Sequence, residues 1–193
     1  GIRLHFGGHL HVNRMSQEET PHGPMTDVGL PSPVAFAPAF TLLEGSSAAL
    51  RLRQVPLGDL RLSADLRTFL TAEGAAYPDA TLGDSLAIRF RERVLARRLP
   101  AALPPEAVAR ILRQGTRDLP AVFGNHAAHV PLATLAVEVL MLREAGALAL
   151  PHIPPAHLAL YRRLAARKPV AEPGDQVAAW FSVLLRVLAL ALA

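Results

Sequence analysis

The period of the hydrophobic pattern changes near residue 63. Over residues 2–14, Ile2, Leu4, Phe6, Leu10 and Val12 alternate with Arg3, His5, His9 and His11, the two-residue repeat of a strand with one inward face. Gly7-Gly8 breaks the alternation and predicts a bulge or tight bend. Residues 16–33 contain Pro21, Gly23, Pro24, Gly29, Pro31 and Pro33, enough breakers to predict a long loop. Residues 49–55 alternate again, Leu50 and Leu52 against Arg51 and Arg53, and predict another extended segment.

Beyond residue 63 the apolar positions recur at helical spacing. Ser63 is placed to cap a helix reaching Leu70. Asp84 or Ser85 is placed to cap a second helix, which runs to about Arg98 and stops at Pro100. Leu86, Phe90 and Val94 form its apolar stripe, with Arg89, Arg93 and Arg97 beside it at the same spacing. Pro104-Pro105-Glu106 opens a helix ending near Gly115. Pro131 opens a longer one through Leu142 to Gly146, buried through Leu132, Leu135, Val139 and Leu142. The last helix, residues 175–193, is apolar nearly all round, with Ser182 and Arg186 as the only polar interruptions after Gln176, and so belongs in a core or against a partner. Its uninterrupted run is short of the ~20 residues of a membrane span. The elements together predict an α+β protein: a small N-terminal antiparallel sheet within residues 1–62, then a largely helical region over 63–193, packed on the same core or appended to it.

With 193 residues, 51% of them hydrophobic, the chain can hide roughly 70% of its unfolded surface. The absence of cysteine excludes disulfides, thiolate metal sites and a cysteine nucleophile. No basic patch leads into an apolar signal core, so secretion has no support and cytoplasmic residence is expected. The start at Gly1 fits a processed chain or a piece of a longer one. The positive charge rests on nineteen arginines and the single Lys168, for a net +4. Arginine suits phosphate through its planar fork and bases through stacking. GC-rich coding produces the same Ala, Leu, Arg and Pro excess, so both explanations stand.

Hydrolase and nucleotide-binding signatures are missing: there is no Gly-x-Ser-x-Gly, no P-loop and no Gly-x-Gly-x-x-Gly. The histidines offer a second chemistry. His9 and His11 would share a strand face, and His126 and His129 a helix face if a helix began there. His152 and His157 flank Ile153-Pro154-Pro155, and a carboxylate such as Glu138 could complete a metal site. A His-rich metal-dependent enzyme of oxygenase type, with His9, His11, His126 and His129 as ligands, is therefore one alternative. A helical scaffold docking through its apolar last helix is another.

The segment from Gly8 to Gly45 carries a more particular pattern. Leu10, Val12 and Asn13 end an extended lead-in, a polar loop follows, and Gly29, Pro31, Ser32 and Pro33 turn into Ala35, Phe36 and Phe40. This order resembles the N-terminal signature of the subunit that holds the guide-RNA 5′ handle in type I-F CRISPR surveillance complexes. The resemblance implies a ferredoxin-like, RNA-recognition-like core and a non-catalytic RNA-binding role without cofactor. It implies guide RNA and other subunits of a ribonucleoprotein effector complex as partners, target DNA as a further one, and no membrane. Asn13, Arg14, Gly29, Ser32, Arg51 and Arg53 are the expected RNA-binding residues near the sheet. Arg89, Arg93 and Arg97 form a helical ridge that either tracks phosphates or is a solvated face. Phe36 and Phe40, four apart, are expected in the core rather than as base-stacking surfaces.

Overall fold

The computed structural model describes residues 3–8, 12–46, 49–72, 81–124, 128–166 and 175–192. The α+β expectation holds, with a small strand-rich N-terminal part and a helical remainder. The chain divides into two compact units, residues 1–89 and 90–193.

In the first unit, β1 (Leu4–Gly7), β2 (Arg14–Thr20) and β3 (Gly23–Gly29) form a sheet in the order β1-β3-β2. β1 runs parallel to β3, pairing Leu4 with Thr26, and β2 runs antiparallel to it, pairing Arg14 with Gly29. The long loop expected over 16–33 is therefore corrected to a hairpin. Its strands were hidden because β2 is a polar edge, Arg-Met-Ser-Gln-Glu-Glu-Thr, with no alternation to read. Pro24 does not break β3, because it lies beyond the end of β1 and has a strand on one side only. Gly23, at φ +100°, makes the turn, and the Thr20 hydroxyl donates to its carbonyl at 2.7 Å.

β4 (Ala39–Gly45) and β5 (Leu50–Pro56) form a separate antiparallel ribbon. The Asn13 amide nitrogen donates to Gln54 Oε1 at 3.1 Å, and Gln54 donates back to Asn13, tying the ribbon to the lead-in of β2. α1 (Ala64–Ala72) starts where expected, with the Ser63 hydroxyl accepting from the Leu66 N–H at 3.2 Å. The ferredoxin-like arrangement implied by the resemblance interleaves helices with strands; here all five strands precede α1 among the described residues.

α2 (Leu82–Arg93) begins three or four residues earlier than expected. Thr81, not Asp84 or Ser85, is its cap: its hydroxyl oxygen accepts from the Asp84 N–H at 3.2 Å and donates to the Asp84 carboxylate at 2.8 Å. Ser85 is buried inside the helix instead. The stop expected at Pro100 is also corrected, since a π turn (Val94–Arg98) leads directly into α3 (Leu99–Ala102). Pro100 has no N–H for the carbonyl four residues back and its ring would crowd that oxygen. The wider turn, in which the Leu99 N–H donates to the Val94 carbonyl, relieves this and inserts one residue into the register. The buried positions accordingly step from Phe90 to Val94 and then to Leu99.

The second unit is built on α6 (Leu132–Ala145), in which every residue from Leu135 to Leu142 is buried. The expected stripe of Leu132, Leu135, Val139 and Leu142 is fully inside, but so is the rest of that stretch, as befits a helix surrounded by neighbours. Those neighbours are α4 (Pro105–Arg113), the 3₁₀ segment Gly146–His152 and α8 (Gln176–Leu192), with α7 (Pro155–Ala165) packed on α8. A short turn, α5 (Pro120–Phe123), places Phe123 edge-on to Phe181 at 5.6 Å. Asp175 caps α8, accepting from the Val177 and Ala178 N–H groups at 2.9 and 3.1 Å. It also receives both terminal nitrogens of Arg110 at 3.0 Å each, which joins α4 to α8. That guanidinium, ahead of the capping bonds, holds the Asp175 carboxyl below its ordinary value. No helix among the described residues is long and apolar enough to cross a membrane.

Candidate functional site

The RNA-binding residues expected around the sheet do not form one surface. Asn13 spends its amide on Gln54, and the Arg14 guanidinium lies 3.9 Å from Asp27, which His5 also contacts at 2.7 Å. Gly29 lies within β3, not in a ligand-facing turn. A methyl group there would stand 2.2 Å from the Val12 carbonyl, so its missing side chain makes room for the chain's own backbone. Ser32 is buried, and its hydroxyl accepts from the Val34 N–H at 3.2 Å. Arg51 and Arg53 share one face of the ribbon with Phe40, because Phe40 pairs with Val55, Leu42 with Arg53 and Glu44 with Arg51. Phe40 is 37% exposed there, so of the two phenylalanines only Phe36 meets the core expectation.

Charge separates the two units. Residues 1–89 carry seven basic and nine acidic side chains, a net −2, whereas residues 90–193 carry 13 basic and seven acidic, a net +6. The cationic character thus belongs to the helical unit and not to the sheet. Two of its arginines are paired across that unit. Arg98 pairs with Glu144 and lies over the Phe90 ring at 5.4 Å, and Arg110 pairs with Asp175. Arg89, Arg93 and Arg97, together with Arg91, are exposed along α2 and the π turn, and none forms an ion pair among the described residues. Arg91 was not anticipated, because it lies off the four-residue spacing that drew attention to the others.

The histidine expectations resolve differently. His9, His11 and His126 lie outside the described residues. His129 is exposed in the segment before α6, which begins only at Leu132, so the helical pairing proposed for it is corrected. Its ring sits against the backbone of Gly115. No group of three or more His, Cys, Asp or Glu that could hold a metal occurs among the described residues.

Glu138 and His157 do come together. Glu138 is buried on α6, and its carboxylate accepts from His157 Nδ1 at 3.1 Å on Oε1 and 2.9 Å on Oε2. Tyr161, one turn further along α7 and fully buried, donates its hydroxyl to Oε2. Burial first, and then the neighbouring Glu138 carboxylate, raise the Tyr161 hydroxyl far above the ordinary phenol range, so it remains the donor. Tyr161 was missed from the sequence, although its four-residue spacing from His157 was the available signal.

Comparison with protein-family models, with curated proteins and with solved structures finds no match to this chain.

Proposed function

We propose that this chain is an RNA-binding subunit of a ribonucleoprotein complex, non-catalytic towards the RNA it binds, and that α2 with its π turn is the phosphate track. One observation carries the reading: Arg89, Arg93 and Arg97 are exposed along one helix without carboxylate partners among the described residues, and Arg93 and Arg97 belong to the unit with a net charge of +6. The exposed cations around the sheet belong to the net negative unit, and Arg14 among them already neighbours a carboxylate. Polyphosphate binding rewards unpaired guanidinium groups, because each phosphate contact releases condensed counterions. Arg51, Arg53 and Phe40 on the ribbon face supply a secondary contact of the kind that binds unpaired bases. The resemblance to the type I-F CRISPR subunit narrows the RNA to a guide 5′ handle. It adds the other effector subunits and target DNA as partners, and cytoplasmic residence.

The test is anisotropy titration of a fluorescent single-stranded RNA against the wild type and the triple reversal Arg89→Glu, Arg93→Glu, Arg97→Glu, over a range of salt. Each lost phosphate contact removes about 0.7 from the slope of log K against log salt, so the triple variant should lose about 2. Because all three side chains are exposed, the helical circular dichroism should be unchanged. An unaltered slope would show that the ridge is a solvated face.

A further inference from the structure

The Glu138–His157–Tyr161 cluster has no part in RNA binding as proposed above, and its geometry is not that of a simple packing contact. Both oxygens of one buried carboxylate lie within hydrogen-bonding distance of His157 Nδ1, so the ring is held as the tautomer with its proton on Nδ1. Nε2 then carries the lone pair and has no hydrogen-bond partner among the described residues, while the side chain keeps 24% exposure. The Tyr161 hydroxyl on Oε2 fixes the carboxylate from the inner side, where Glu138 has only 10% of its side chain exposed. His157 lies in the first turn of α7, after Pro154-Pro155, on an ordered helix rather than a loop. A carboxylate that orients an imidazole and stabilises its developing charge is the arrangement that makes Nε2 a base or nucleophile.

We propose that His157 is a reactive imidazole that takes acyl groups from activated acyl donors, with Glu138 as its positioning residue. In the step, the Nε2 lone pair forms a bond to the acyl carbon and the bond to the leaving oxygen breaks with its electron pair. The Nδ1 proton passes to Glu138. A water oxygen then bonds to the acyl carbon as the C–Nε2 bond breaks with its electron pair returning to Nε2; Glu138 gives the proton back to Nδ1, the acid is released, and the water's other proton passes through solvent to the leaving group's oxyanion.

Diethyl pyrocarbonate, whose leaving group is ethyl carbonate, is the probe. The full chain is pulsed with it at neutral pH, and peptide mass spectrometry reads the rate at each histidine. His22 and His129 are exposed and serve as internal references. Exposure alone would make His157 slower than both, whereas the proposal requires it to be faster than both. Glu138→Gln should bring His157 down to no more than the reference rates and leave His22 and His129 unchanged. His157 no faster than either reference in the wild type overturns the proposal, as does a folded Glu138→Gln protein with the wild-type rate. The wild-type comparison decides by itself if that variant does not fold.

Discussion

Asp175 does two jobs that substitution can separate. It accepts from two N–H groups at the start of α8 and from both terminal nitrogens of Arg110 on α4. Asp175→Asn keeps a good capping side chain but loses the charge, whereas Asp175→Ala loses both. The cap is worth about 1 kcal/mol. A charge-assisted bidentate pair is worth about 1.5–3 kcal/mol when sheltered, and about 1 kcal/mol is the fairer figure where solvent screens it. The Arg110 side chain is 37% exposed, which places the pair in that screened class. Asp175→Asn should therefore cost about 1 kcal/mol and Asp175→Ala about 2. Urea unfolding followed by the fluorescence of Trp180, the only tryptophan and itself on α8, reads both.

The pH dependence follows from the lowered carboxyl. Its stabilisation is fully present above the unfolded-state value, near 3.9, and is lost as pH falls through the folded-state value below it. The gap between wild type and Asp175→Asn should be constant down to about pH 4 and close below that. Equal costs for the Asn and Ala variants, or a gap that persists unchanged at pH 2, would refute the division of labour.

Two glycines with equally short clearances should respond differently. Gly29→Ala drives a methyl group to 2.2 Å from the Val12 carbonyl, a backbone atom that cannot step aside, and should cost about 1–3 kcal/mol with loss of β-sheet signal. Gly115→Ala meets the His129 ring at the same distance, but that side chain is exposed and can rotate away, and Gly115 has φ −121°, so the cost should stay below about 1 kcal/mol; similar losses of thermal midpoint for the two would contradict this. Leu135→Ala on the buried face of α6 should cost about 2–5 kcal/mol in urea unfolding through the cavity it leaves.

Several parts of the molecule were legible in sequence because short-range chemistry fixes them. The capping serine at 63, the prolines opening α4 and α6, and the apolar repeats of α6 and α8 act within a turn or two of themselves. The hairpin over β2 and β3 was not legible, since an exposed polar edge strand carries no hydrophobic period and Pro24 is harmless only where β1 has already ended. The passage of the helix beyond Pro100 depended on a π turn, whose register shift shows only in where Leu99 is buried. For the candidate sites, the arginine ridge was visible as a spacing. Its freedom from carboxylates was not, because Arg98 and Arg110 find Glu144 and Asp175 across 46 and 65 residues.

Composition and local periodicity by themselves determined that this is an α+β chain without cysteine chemistry, with strands first and helices after. Tertiary structure alone decided that Glu138 and His157, 19 residues apart, face each other with Tyr161 behind them. It also put the cationic surplus in the unit opposite in charge to the sheet. Local pattern reports which face of an element is apolar; which polar groups meet across the core depends on how the helices pack, and that is set by the whole chain at once.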